Sequence, residues 1–144
     1  MALQGEYEPG TWPGAARQVA GYEASGGATH NTAGGKPVII LHTRGRRTGK
    51  IRKAPLIRVE HDGAYLAVAS KGGADDHPEW YLNLLADAQV ALQDGAETVD
   101  MTARVLAGAE RVEWWARAVE TFPLYAKYER QSKREIPIVL VSRE

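Results

Sequence analysis

Apolar and polar positions alternate along this chain with two periods, one close to the helical repeat and one of two residues, the mark of a strand. Trp12, Ala16, Val19 and Tyr22 recur at near-helical spacing up to Ser25, behind Thr11 as a cap and Pro13 as an early helical proline, which predicts one N-terminal helix. The stretch 26–37 is rich in Gly, Thr, Asn and Ala and has no period, so it reads as a lead-in loop. Strand-like runs follow at 38–43, 54–60 and 64–70, the last two joined by the tight turn His61-Asp62-Gly63, and the three are expected to form a meander. The spacing of Trp80, Tyr81, Leu84 and Leu85 behind Pro78 predicts a short helix to about Ala86. Residues 88–93 then alternate up to Asp94-Gly95. Beyond that turn Val99, Met101, Ala103 and Val105 point one way and Thr98, Asp100, Thr102 and Arg104 the other, a half-buried hairpin. Val112, Trp115, Val119 and Phe122 form the stripe of an amphipathic helix, Pro123 opens a segment with Tyr125 and Tyr128, and 136–142 is a closing apolar strand. Strands joined by hairpins with few helices between them predict an α+β, mainly β fold. An antiparallel sheet or small barrel with flanking short helices fits better than a doubly wound parallel sheet.

The length of 144 residues predicts a single domain over 1–144 that buries its own core. Lysine plus arginine balance aspartate plus glutamate at 18 each, so no overall field draws the chain to nucleic acid or to an anionic membrane. No apolar stretch approaches the ~20 residues that span a bilayer, and Met-Ala-Leu-Gln-Gly-Glu-Tyr-Glu at the start lacks a leader's basic and apolar regions. A soluble, cytoplasmic protein without stable membrane association is the expectation. Cysteine is absent, and the four histidines (His30, His42, His61, His77) lack ligand spacing, so no metal is predicted. Nor is there a Gly-x-Ser-x-Gly or another self-contained nucleophile and base, which points to a reaction whose hard step is carried by a bound cofactor.

Charge changes the picture locally. Residues 44–53 read Arg-Gly-Arg-Arg-Thr-Gly-Lys-Ile-Arg-Lys, six cations in ten positions. Like charges at close range repel by about 1 kcal/mol per pair even in bulk water, so the block calls for an anion among them. A phosphate or carboxylate site on a turn is one reading, a solvated basic hairpin the other. The Gly45 to Lys50 segment is not a nucleotide-hydrolase phosphate loop, since only three residues separate the glycines and Ile51 stands where Ser or Thr would bind magnesium. A second candidate is Ala69-Ser70-Lys71-Gly72-Gly73 with His77-Pro78-Glu79-Trp80-Tyr81-Leu82-Asn83: a strand end rich in backbone donors beside a lysine and two flat rings, which could equally be core anchors. The third is Tyr125 and Tyr128, three apart on one helical face, neutral phenols that could line a substrate pocket or simply cover a core edge.

Residues 34–143 resemble the deazaflavin-dependent nitroreductase family, split β-barrel oxidoreductases that use coenzyme F420. The resemblance rests on Gly45-Arg-Arg-Thr-Gly49 with Arg52 and Pro55-Leu56; on Ala69 to Gly73; on His77-Pro78 with Trp80 to Leu84; on Thr102-Ala103-Arg104; on Pro123 with Tyr125 and Tyr128; and on Arg134-Glu135-Ile136-Pro137. It implies an FMN-binding split barrel-like fold over 34–144, behind an N-terminal helix and lead-in loop at 1–33. Arg46, Arg47, Thr48, Gly49, Arg52, Lys53, Lys71 and Gly72 would hold the phosphate and oligoglutamate tail of the cofactor. Ala54, Pro55, Leu56, Ile57, Val68, Ala69, Ser70, Glu79, Trp80, Tyr81, Leu82, Asn83 and Tyr125 would surround its ring. The implied activity is hydride transfer from reduced F420 to an activated double bond (an enone or unsaturated lactone), a quinone or a nitro group, with Tyr125, Tyr128, Ser70 or solvent completing protonation. Some members carry tyrosines at the positions of Ile57 and Phe122, which makes this pocket less polar and favours an apolar acceptor over a nitro compound. A small-molecule substrate and a monomer or homodimer are implied; an F420 carrier without turnover, or an FMN- or heme-binding barrel, are the alternatives.

Overall fold

The computed structural model describes residues 3–143. Helix α1 (Pro13–Ser25) is followed by strands β1 (Thr32–Ala33), β2 (Lys36–Arg44), β3 (Ile51–Ile57), β4 (Glu60–His61) and β5 (Ala64–Val68). A 3₁₀ turn at Lys71–Gly73 leads to α2 (Glu79–Ala86), then β6 (Gln89–Asp94), β7 (Glu97–Val105), α3 (Gly108–Thr121), α4 (Leu124–Gln131) and β8 (Ile138–Ser142). Every strand pairing is antiparallel; the order is β1-β2-β6-β7-β8-β5-β4, with β3 on the other edge of β2. The result is a curled, half-closed barrel, as the sequence predicts, with a fourth helix where the sequence predicts only a segment after Pro123.

Both faces of the central strands are covered, which is why they read as continuous apolar runs. On the concave side Ile39, Leu41, Ala67, Val90, Leu92, Met101, Val139 and Val141 pack with Trp80, Tyr81 and Leu84 of α2. On the outer face Leu66, Val68, Ile138 and Leu140, each one position out of phase with that set, meet Trp114, Ala118 and Tyr125 of α3 and α4. Val38 and Ile40 meet Val19 and Tyr22 of α1.

Four expectations are corrected. The three-strand meander does not form: Arg58 still donates its amide to Pro37 O, but the next residue, Val59, accepts from Leu66 N, so the chain changes partners between them. Burial of Val59 in the outer core carries it across, and the predicted 54–60 strand divides into β3 and β4. Its Asp62-Gly63 turn is as read, with φ of 53° and 81°, the type I′ geometry that suits a two-residue hairpin. In α1 Thr11 is not the cap: Trp12, extended before Pro13, occupies that position and is 75% exposed. The stripe of α3 is shifted: Trp114 and Ala118 are its buried residues, Trp115, Val119 and Phe122 pack partly buried beside them as expected, and Val112 is 71% exposed; Val105 at the end of β7 is likewise exposed. Finally the lead-in loop contains the β1–β2 hairpin, turned by Gly34-Gly35 at positive φ. A Cβ at Gly34 would lie 3.0 Å from the Phe122 ring, so this turn approaches α4's entry closely.

Candidate functional site

The basic block forms a tight turn between β2 and β3, closed by Gly45 N to Lys50 O at 2.7 Å and Gly49 N to Gly45 O at 2.8 Å. Its charges are not left uncompensated, contrary to the expectation from sequence. Five of the six cations meet a carboxylate of the same chain: Arg44 with Asp87 at 3.5 Å, Arg46 with Glu79 at 2.7 Å, Lys50 with Glu6 at 3.9 Å, Arg52 with Glu8 at 3.2 Å and Lys53 with Glu23 at 2.6 Å. Arg47, exposed, is the one cation of the block with no carboxylate partner among the described residues. Folding therefore does not demand a bound anion, although exposed pairs worth roughly 0–1 kcal/mol each are readily exchanged for one.

Two side chains join the turn to α2. The buried Asn83 accepts from Arg46 N at 3.2 Å and from Arg46 Nη1 at 2.9 Å through Oδ1, while its Nδ2 donates to Thr43 Oγ1 at 3.2 Å. The hydrogen bond from Arg46, assisted by the fields of Arg46, Arg47 and Lys71, holds the Glu79 carboxyl below its usual range. Those three cations therefore converge on one spot. Trp80 and Tyr81, expected as a flat surface for a ligand, are each 9% exposed and belong to the concave core, so they underlie the site rather than line it openly.

Across from the turn, the segment after β5 runs through Ser70 in the right-handed region and then Lys71, Gly72 and Gly73 at φ of 47°, 64° and 86°. A right-handed residue followed by a left-handed one turns successive N–H groups to one side, the concavity that binds anions. Arg134 fixes this shape from behind: its Nε donates to Ala74 O at 3.2 Å and its Nη2 to Ala69 O at 2.9 Å and Ser70 O at 3.3 Å. Its Nη1 is buried without a hydrogen-bond partner. Within the loop Gly73 N donates to Ser70 O at 2.9 Å and Ala74 N to Lys71 O at 3.2 Å, so the amides beyond Gly72 are tied to the loop itself. Lys71 Nζ donates to Asp76 Oδ2 at 2.6 Å, an exposed pair open to exchange. Sequence reading noted Arg134 only as part of a motif; its placement four residues before β8, where the chain must pass the Ser70 loop, was the available signal.

Helix α4 packs on that loop, and a Cβ on Gly73 would lie 3.4 Å from Tyr128 Cα. Tyr125 is buried, with its ring centroid 5.0 Å from that of Phe122, 6.3 Å from Trp115 and 6.4 Å from Tyr128. Burial pushes its phenol well above the ordinary value, so it stays protonated throughout the neutral range. Ile57, Val68, Phe122, Tyr125 and Tyr128 share the outer core, and Ser70 is 8% exposed at its border. The structure thus gathers Arg46, Arg47 and Lys71 around Glu79, and packs the Lys71–Gly73 loop against α4 at Tyr128. Arg52 and Lys53 are instead engaged by the N-terminal segment and α1, through Glu8 and Glu23.

Residues 15–143 match the family model described as F420H(2)-dependent quinone reductase. The chain belongs to that family. An F420H2-dependent quinone reductase of Mycobacterium tuberculosis (strain H37Rv) is 32% identical over 117 residues, 79% of this chain and 78% of its own. Among solved structures, an F420H2-dependent reductase, FDR-A, is 47% identical with a TM-score of 0.70 over 74% of this chain and 94% of its own. A chain described as a domain-swapped dimer is 41% identical, with a TM-score of 0.72 over 88% of this chain and 96% of its own. A heme storage protein of Vibrio cholerae, 16% identical with a TM-score of 0.57 over 74% of this chain and 81% of its own, shares the split-barrel fold alone. Among the described residues no helix is long and apolar enough to cross a membrane.

Proposed function

We propose that this family member is an F420H2-dependent reductase of small, flat, electron-poor acceptors, quinones first and enones next, with nitro compounds poorer substrates. The observation that carries this reading is the packing of the left-handed Lys71 to Gly73 loop, a backbone shape suited to anions, on α4 beside the apolar side chains of Ile57, Phe122, Tyr125 and Tyr128. An acidic cofactor fits the residues present: Arg47 makes no ion pair among the described residues, the Lys71–Asp76 pair is exposed, and the Ser70–Gly72 backbone passes from the right-handed to the left-handed region. In this reading Arg46, Arg47, Thr48, Gly49, Lys71 and Gly72 hold the phosphate, and backbone at Ala54, Pro55, Leu56, Ile57, Val68 and Ala69, over α2, lies beside the ring.

When bound, the deazaflavin supplies a hydride and is a poor one-electron donor. The chain's part is to position, to exclude water and to deliver a proton. A quinone that takes up a hydride needs one proton at oxygen. Tyr125, held neutral by burial, can donate a hydrogen bond or that proton, and Tyr128 or Ser70 offers a path from solvent. The apolar side chains of Ile57 and Phe122 suit the body of a quinone or enone better than the oxygens of a nitro group.

Spectrophotometric oxidation of reduced F420 against a panel of quinones, enones and nitroaromatics tests this directly. Turnover with quinones or enones above background is the expected outcome. Absence of turnover across the panel, with the cofactor bound, would make the protein a carrier.

A further inference from the structure

The N-terminal segment Gly5–Glu8 lies along the free edge of β3. Ile51 donates its amide to Glu6 O at 2.7 Å, Glu8 donates to Ile51 O at 2.9 Å, and Tyr7 pairs in parallel with Ile51. Two backbone bonds hold a glutamate-rich stretch against the basic block, and the side chains follow: Glu6 reaches Lys50 and Glu8 reaches Arg52. Lys53 Nζ sits 4.4 Å from the Tyr7 ring centroid while paired with Glu23 of α1. The cations of residues 44–53 are thereby divided. Arg46 and Arg47 face Glu79 and the Ser70 loop, whereas Lys50, Arg52 and Lys53 already carry carboxylates from the start of the chain.

Resting on the F420 reading above, we propose that Glu6 and Glu8 are specificity-determining residues that occupy, from within the chain, the far end of the tail site. They stand in for the distal glutamates of the cofactor. An oligoglutamate presents carboxylates in series, as this segment does. A tail that runs beyond Arg47 meets cations whose charge is already answered, and it gains from them only by displacing Glu6 and Glu8. The chain accordingly binds the cofactor through its phosphate and first glutamates and distinguishes poorly among longer tails.

The test is a set of affinities, read from deazaflavin fluorescence on titration, for forms of F420 with no glutamate, few and many. Wild type is compared with the Glu6→Gln/Glu8→Gln protein; Glu6 is exposed and Glu8 partly so, and the change keeps the backbone bonds. Wild type is expected to bind the few- and many-glutamate forms within about threefold of each other, while the double variant binds the many-glutamate form about fivefold more tightly and the tail-free form unchanged. The same dependence on tail length in both proteins would overturn the proposal. Failure of every form to bind either protein would overturn the cofactor reading itself, and this one with it.

Discussion

Arg47 and Arg52 stand five positions apart in the same basic block, yet the fold gives them different duties. Arg52 is paired with Glu8, whereas Arg47 is exposed near Glu79 and makes no ion pair among the described residues. Replacing Arg47 by Gln should therefore weaken F420 binding about tenfold, with a steep salt dependence, and Arg52→Gln should change it about twofold. Equal losses in isothermal titration would mean that the division of charges is wrong. Lys71→Gln should match the Arg47 variant, because it also removes a positive charge beside Glu79. Tyr125→Phe removes one oxygen and leaves the packing with Phe122 and Trp115, so kcat should fall while cofactor affinity holds. An unchanged kcat would assign the proton to another donor. The pairing of Glu6 and Glu8 was not visible in the residue pattern, because polar positions on an irregular segment have no period to reveal which strand they will meet.

Among the elements, β7 was legible because one of its faces is buried: Val99, Met101 and Ala103 alternate with polar neighbours, and a slip by one residue would expose them all. Helix α3 was legible in extent but not in phase. Its adjacent tryptophans, Trp114 and Trp115, permit two stripes, and only the sheet beneath selects Trp114 with Ala118. Truncating Trp114 to Ala should then cost about 3 kcal/mol in chemical denaturation, and Val112→Ala should stay within about 0.5 kcal/mol. The reverse ranking would restore the stripe expected from sequence. The division of β3 from β4 was illegible for another reason, since the residues on both sides of the break remain apolar and the change of partner happens in hydrogen bonds alone. Of the candidate site, the turn, the Ser70 loop and the α4 tyrosines were each visible as local patterns; Arg134, which shapes the loop from a distance of 60-odd residues, was not read as a site residue.

For the molecule as a whole, charge balance proves to be an internal arrangement as well as a net sum. Buried near Lys53 and Glu23, His42 is held neutral, its pKa lowered to about 4 by burial first and by Lys53 second. Since the unfolded chain takes up this proton near pH 6.5 and the folded one does not, the contribution is fully present above that pH. It is lost as pH falls toward 4, by about 3 kcal/mol. His42→Gln should flatten that part of the stability profile, and an unaltered slope between pH 6.5 and 4 would show that other groups govern it. The proposed function depends on Arg47, Lys71 and the Ser70 loop receiving an acidic deazaflavin. Calorimetric titration with F420 at low ionic strength, repeated at high salt and with FMN, measures that most directly. Binding in the micromolar range that weakens about tenfold with salt and exceeds that of FMN is the result predicted; no heat of association with F420, or tighter association with FMN, would contradict it.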